Sequence, residues 1–202
     1  MLAVTPDKAL HGPAIMNPMG TVLLDSATMK RTLARMAHEV LEQGGAEDLV
    51  VVGILRRGYP VAKRLAFQIT QIEGATVPCG KIDARASRDD KRGALAADED
   101  ESEIPFQITG KRVLLVDEVI FTGRTIRAAL DALLAYGRPA RVQLAALIDR
   151  GYRELPIQPD FVGRKVESER GDHVLVKVHE FDGEDLVELI AASDRQPEGA
   201  LR

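Results

Sequence analysis

Apolar positions recur at helical spacing along Met29, Leu33, Met36, Ala37, Val40 and Leu41, and the pattern stops at Gly44-Gly45, which predicts a helix. Leu49 to Leu55 is then a continuous apolar run, the signature of a strand covered on both faces in a parallel sheet. A short polar loop, Arg56-Arg57-Gly58-Tyr59, leads to Pro60, which suits a first helical turn because its missing N–H would have no intrahelical partner there. That helix is predicted to run to about Ile69, with a weaker strand from Thr76 to Ile82. Further along, Arg112 to Val116 is a second buried-type strand, and a loop separates it from an Ala/Leu-rich helix, Thr125 to Ala135, stopped by Gly137. Val142 to Ile148 is the next strand and Phe161 to Gly163 starts another. His173 to His179 alternates before Asp182-Gly183, which reads as a hairpin turn. Strands alternating with helices predict an α/β fold, a mostly parallel sheet flanked by helices.

Two stretches break the pattern. Residues 1–20 hold three prolines, two glycines and little periodicity, and are expected to form a poorly ordered leader. Residues 83–103 have Leu95 as their only large apolar side chain, so they bury little and read as a flexible lid loop. With 193–202 as a tail, one domain is expected over 21–192, and 202 residues suit a single domain.

Composition narrows the classes. Apolar residues make up 45% and charged residues 29%, which excludes a wholly disordered chain. No apolar run approaches the ~18–20 residues of a membrane span. The first 20 residues lack the basic-then-apolar pattern of a secretory signal, and the single Cys79 cannot form an internal disulfide, so a cytoplasmic address is expected. The chain carries 27 Lys and Arg against 31 Asp and Glu, but residues 83–103 alone hold four basic and eight acidic side chains. The remainder is therefore balanced, and any nucleic-acid contact must come from a local patch.

The strongest chemical signal is Val113-Leu-Leu-Val-Asp117-Glu118-Val-Ile-Phe121-Thr122-Gly123-Arg124-Thr125. A strand delivers two adjacent carboxylates to its C-terminal end, where ligands of open α/β sheets bind. The Thr-Gly-x-Thr turn then opens a helix whose backbone N–H groups and macrodipole suit a phosphate. Taken alone, that turn would equally mark a helix N-cap beside two solvated acids. The thirteen-residue pattern is more specific and resembles the 5-phosphoribosyl-1-pyrophosphate (PRPP) motif of type I phosphoribosyltransferases. Val52-Gly53-Ile54, Arg57-Gly58, Gln71-Ile72-Glu73-Gly74, Gly80-Lys-Ile-Asp83, Arg88-Asp89-Asp90, Gly137-Arg138-Pro139, Asp149-Arg150-Gly151, Arg153-Glu154-Leu155-Pro156-Ile157 and Asp160-Phe161-Val162-Gly163 all appear in order along the chain. Together, over residues 21–190, they look like the pyrimidine operon regulatory family of that fold.

The resemblance implies a type I phosphoribosyltransferase fold that transfers phosphoribosyl from PRPP to uracil, giving UMP and pyrophosphate. It implies that Asp117 and Glu118 hold the ribose hydroxyls and that Phe121, Thr122, Gly123, Arg124 and Thr125 cradle the 5′-phosphate. Arg56, Arg57 and Gly58 would form the pyrophosphate loop, Arg88 would reach the pyrophosphate from the lid, and the Val162 backbone would meet the uracil edge. Magnesium would be bound mainly through PRPP, with no protein metal ligand assigned. A second implied activity is attenuation: a homodimer or higher oligomer binding pyrimidine operon leader RNA more tightly with UMP or UTP present, through Arg35, His38, Arg153 and Arg164.

The sequence departs from the family pattern at Glu118 (usually Asp), Phe121 (Tyr), Arg56 (Thr) and Ala86-Ser87 (Leu-Tyr). On the RNA side it departs at Ala34 (Thr), Tyr152 (His) and Gln158 (a basic residue). Two other readings are therefore open at this level. The altered lid and Glu118 suit a nucleotide-sensing RNA binder with little catalysis. Ala34, Gln158 and the acidic net charge suit a uracil salvage enzyme without RNA function.

Overall fold

The computed structural model describes residues 20–87 and 100–194. The expected leader up to residue 19, the lid segment 88–99 with Arg88, and the tail from residue 195 lie outside the described residues.

In chain order the elements are β1 (Thr21–Asp25), α1 (Ser26–Glu42), β2 (Leu49–Ile54), α2 (Gly58–Glu73), β3 (Cys79–Ile82), β4 (Arg112–Ile120), α3 (Arg124–Leu134), β5 (Arg141–Asp149), β6 (Phe161–Lys165), β7 (His173–Lys177), α4 (His179–Asp182) and β8 (Leu186–Ile190). Five strands form an all-parallel sheet in the order β3-β2-β4-β5-β6. The expected α/β architecture is thus the one observed.

Alternation along the central strands explains the layers. Val51, Leu114, Val116, Ala145 and Leu147 face an apolar cluster shared with α1 and α2. Val50, Val52, Val113, Leu115, Leu144 and Ala146 face the opposite cluster, shared with α3. Both faces of the sheet are therefore dry, which is why these strands read as unbroken apolar runs. Asp25 caps α1, its carboxylate accepting from the Thr28 N–H at 2.7 Å. Gly74, at φ 71°, ends α2 in the left-handed conformation.

Two strand boundaries in the large sheet differ from those predicted, one outward and one inward. Strand β4 runs to Ile120, four residues beyond the apolar run that predicted it, because Asp117 pairs with Ala146 and Val119 with Ile148 in register. Strand β3 begins at Cys79 rather than Thr76.

A second, antiparallel sheet, β1-β8-β7, was not expected as such. The predicted hairpin turn at Asp182-Gly183 is corrected: β7 and β8 do pair antiparallel, but a helical turn, α4, joins them, and Gly183 at φ 75° is its C-cap. The small sheet packs Val174, Val176 and Val187 onto the α1–α2 side of the core, above the C-terminal end of β4.

Strand order places the site. From β2 the chain moves outward to β3, and from β4 it moves the other way to β5 and β6. The order reverses between β2 and β4, and loops leaving these neighbours diverge to leave a crevice at their C-terminal ends.

Candidate active site

Two loops meet at that crevice. The first, residues 55–57, follows β2 and contains a cis peptide between Leu55 and Arg56. It enters α2 at Gly58, which lies hard against β4: a Cβ there would meet the Val116 carbonyl oxygen at 2.9 Å and Asp117 Oδ1 at 3.2 Å. Only glycine lets this loop approach the carboxylate so closely. The second loop, 121–123, joins β4 to α3, with Gly123 at φ 90° as the N-cap residue.

The second loop is braced from outside by residues 150–157. The Thr122 carbonyl accepts the N–H groups of Glu154 (2.9 Å) and Leu155 (3.3 Å), and the Phe121 carbonyl accepts from Arg153 Nη1 at 2.9 Å. Arg150 is buried, with its guanidinium 4.2 Å from the Phe121 ring centroid. It also donates to the Asp172 and Glu169 carbonyls at 2.8 and 3.0 Å. Tyr152 meets Phe121 edge-on at 6.0 Å between centroids. Arg124 Nε donates to Glu154 Oε2 at 2.9 Å. These contacts hold the loop's backbone open at the N-terminus of an eleven-residue helix, a geometry suited to an anion.

The two carboxylates differ. Asp117 is buried, and its Oδ1 accepts the Glu118 N–H at 3.0 Å. Glu118 Oε2 is buried with no protein partner among the described residues. A buried acceptor without a partner is costly, and a ligand hydroxyl or a cation would relieve it. Glu118 lines a cavity of about 300 Å³ together with Arg57, Phe121, Arg150 and the β7 residues His173 to Val176. No group of three or more His, Cys, Asp or Glu side chains arranged to hold a metal occurs among the described residues.

Arg57 Nε and Nη2 donate to Asp182 Oδ2 and Oδ1 at 3.1 and 2.7 Å. This pairing, with Glu118 nearby, raises the Arg57 pKa against the opposing effect of burial. Arg56 is well exposed, with Glu101 Oε1 at 4.0 Å from its Nη2.

The stem of the expected lid is pinned. The Asp83 N–H donates to Ser102 Oγ at 2.8 Å, and Lys81 and Glu103 form an antiparallel bridge. Burial pushes the Asp83 carboxyl up, but the Arg85 guanidinium outweighs it and holds the pKa below the ordinary value. Arg127 on α3 donates to the Ser87 carbonyl at 2.8 Å, tying the same stem to the phosphate-loop helix.

A family model for the phosphoribosyl transferase domain matches residues 20–180. The Bifunctional protein PyrR 2 of Lactiplantibacillus plantarum is 47% identical over 169 residues, covering 83% of this chain and 97% of that protein. The Pyrimidine operon regulatory protein of Lactococcus lactis subsp. lactis is 48% identical over 173 residues, with coverages of 85% and 97%. The chain belongs to the PyrR family of phosphoribosyltransferases. The PyrR protein of Deinococcus radiodurans is 46% identical over 181 residues, covering 89% of this chain and 98% of that protein. The fold is shared more widely. A hypoxanthine phosphoribosyltransferase from Staphylococcus aureus superposes with a TM-score of 0.67 at 17% identity, covering 93% of this chain and 99% of that one.

Within this PyrR framework, the structure brings Asp117, Glu118, Arg56, Arg57, Gly58 and Phe121 to Thr125 to one crevice. Of the four positions expected on an RNA face, Arg35, His38 and Arg164 lie on α1 and β6, and Arg153 lies on the segment after β5. Arg35 and His38 are exposed on α1, and Arg35 donates to the carbonyls of Val162 (3.1 Å) and Gly163 (2.5 Å) on the edge strand β6. Arg35 is also ion-paired with Glu39, and the exposed Arg164 donates to the Leu23 carbonyl. Arg153 departs from the expected surface position. Its side chain is 11% exposed, sits 2.7 Å from Asp149 and donates to the Ile157 and Phe121 carbonyls, so it is an internal brace. The Val162 carbonyl, expected to face uracil, accepts from Arg35. Arg150, Asp182 and the β7 lining were not singled out from sequence. Arg150 lies in a quoted segment, whereas Asp182 meets Arg57 across 125 positions and leaves no local signal.

Proposed function

We propose that this chain transfers phosphoribosyl from PRPP to uracil and, as a homodimer or higher oligomer in the cytoplasm, binds pyrimidine operon leader RNA in response to uridine nucleotides. The observation that carries the reading is the crevice between β2 and β4, which joins a phosphate-suited helix N-terminus, a carboxylate pair and a glycine-entered arginine loop. The close relatives named bifunctional PyrR and pyrimidine operon regulatory protein supply the substrate class.

In this reading the N–H groups and hydroxyls of 121–125 bind the 5′-phosphate. Asp117 and the unpaired Glu118 oxygen accept the ribose hydroxyls. Arg56, Arg57 and the backbone at Gly58 receive the pyrophosphate, balancing charge as the bond to C1 lengthens. Uracil occupies the cavity lined by β7, Phe121 and Arg150. Fixing the two reactants across one crevice supplies most of the rate through positioning. Arg88, outside the described residues, is assigned to the pyrophosphate on the family resemblance.

The donor set suits a hard cation, since the crevice presents carboxylate oxygens and one of them lacks a partner. Phosphoribosyltransferases generally use magnesium with PRPP. When bound, the ion neutralises pyrophosphate charge, and Asp117 and Glu118 would hold it through the ribose hydroxyls.

For RNA, Arg35, His38 and Arg164 around α1 and β6 form the contact face, with Arg153 acting from behind the phosphate loop. A salvage enzyme without RNA function is favoured by one observation, that Arg35 and Arg153 are both ion-paired within the chain, Arg35 at the surface with Glu39 and Arg153 with the largely buried Asp149.

One pair of measurements tests the reading. Purified full-length protein should form UMP from uracil and PRPP, and UMP should strengthen its filter-binding to pyrimidine operon leader RNA. UMP formation without RNA binding at low salt would select the salvage enzyme; RNA binding without UMP formation would select the sensor.

A further inference from the structure

The turn between β7 and β8 carries three acids that reach back to the start of α2. Glu180 Oε2 and Asp185 Oδ1 lie 2.6 and 2.7 Å from Arg64 Nη2, and Asp182 holds Arg57 through both carboxylate oxygens. Asp182 is itself fixed by the backbone. Its Oδ2 accepts the Val178 N–H at 2.9 Å, and its own N–H donates to the Val178 carbonyl at 2.8 Å. Its side chain is 19% exposed.

The pairing uses one edge of the Arg57 fork, Nε and Nη2. Nη1 makes no bond to any described residue, and Arg57 lines the cavity beside the unpaired Glu118 oxygen. We propose that Asp182 is a positioning residue, holding one edge of Arg57 so that the free edge faces the pyrophosphate of PRPP. This rests on the phosphoribosyl-transfer reading above and adds a role to a residue outside the crevice loops.

The physical case is one of preorganisation. An unpaired arginine at a loop must surrender rotamer freedom when substrate arrives, and a partner that fixes it beforehand removes that cost. The price in charge is real, since Asp182 offsets part of the attraction between Arg57 and an anion. The twofold, planar pairing sets the aim of the guanidinium, which a lone charge elsewhere could not do. Anchoring the same turn to Arg64 keeps Asp182 from following Arg57 into the cavity.

The test is steady-state kinetics on full-length Asp182→Asn, which removes charge and keeps size. The Michaelis constant for PRPP should rise about tenfold, while that for uracil should stay within about twofold. In an Arg57→Ala background, Asp182→Asn should add nothing further to the PRPP effect. Asp182→Glu, keeping the charge one methylene away, should recover part of the loss. If Asp182→Asn does not fold by its melting curve, Asp182→Glu against Arg57→Ala carries the same comparison. An unchanged or lowered PRPP constant, or additive effects in the Arg57→Ala background, would overturn the proposal. If wild-type protein forms no UMP, the transfer reading fails instead, and calorimetric PRPP binding to wild type and Asp182→Asn then decides the positioning role.

Discussion

Arg153 and Phe121 are joined by a hydrogen bond of 2.9 Å from guanidinium to backbone carbonyl, while the same guanidinium pairs with Asp149 at 2.7 Å. The last residue of strand β5 therefore helps hold, through Arg153, the loop at the end of strand β4. Both charged side chains are only 11% exposed, so water is a poor replacement for either partner. Arg153→Ala should destabilise the protein by about 3 kcal/mol, the cost of leaving a buried carboxylate with the Gly151 N–H but no counter-charge, and should weaken PRPP binding through the loosened loop. Urea unfolding and calorimetric PRPP titration of one preparation check both.

Gly58→Ala should be more damaging to function than a single methyl suggests. Its Cβ would press on the Val116 carbonyl oxygen at 2.9 Å, which is backbone and cannot swing aside. A loss of about 2 kcal/mol in stability is expected, with the arginine loop pushed off the carboxylates and UMP formation reduced at least about tenfold. A variant with wild-type turnover would show that the loop has another route past β4.

Arg124→Ala and Thr125→Ala should each weaken PRPP about tenfold while moving stability by less than about 1 kcal/mol. The Arg124–Glu154 pair is about one third exposed, so its loss is largely screened. Unchanged PRPP affinity in both variants would place the phosphate elsewhere.

Acid stability should depend on Asp182. The hydrogen bond from Arg57 holds its carboxyl below the ordinary value of 3.8, against a smaller opposing effect of burial. A depressed folded-state pKa contributes stability that is present above the unfolded value and is lost as pH falls through the folded one. Wild type should therefore exceed Asp182→Asn in urea stability at pH 7, and the gap should close as pH drops below about 4. A gap that is constant from pH 7 to pH 2.5 would mean the carboxylate does not titrate as paired.

The parallel sheet was legible because Leu49 to Ile54 and Arg112 to Val116 are buried on both faces and carry almost no polar interruption. The small sheet was harder to read for a physical reason. Strand β8 buries Glu188 among its apolar residues, with Lys177 Nζ 4.0 Å away, so a charge sits where alternation predicts an apolar side chain. The phosphate loop was readable because its residues are contiguous. Arg153 could not be placed from spacing alone, since a cation beside a turn looks the same whether it faces solvent or folds inward onto Asp149. The pairing of Arg57 with Asp182 is a property of tertiary structure, visible only once the turn between β7 and β8 is brought against the loop that follows β2.

Strands β2, β4 and β5 each send neighbouring residues to opposite apolar layers, so that Val51 serves one and Val52 the other. Neither layer has a sheet of its own. Pulling apart the helices on one side would strip support from strands on which the other side depends, leaving no half able to persist alone. The large sheet and both its coverings are thereby bound to melt as a single cooperative unit, and partial opening is left to segments outside it.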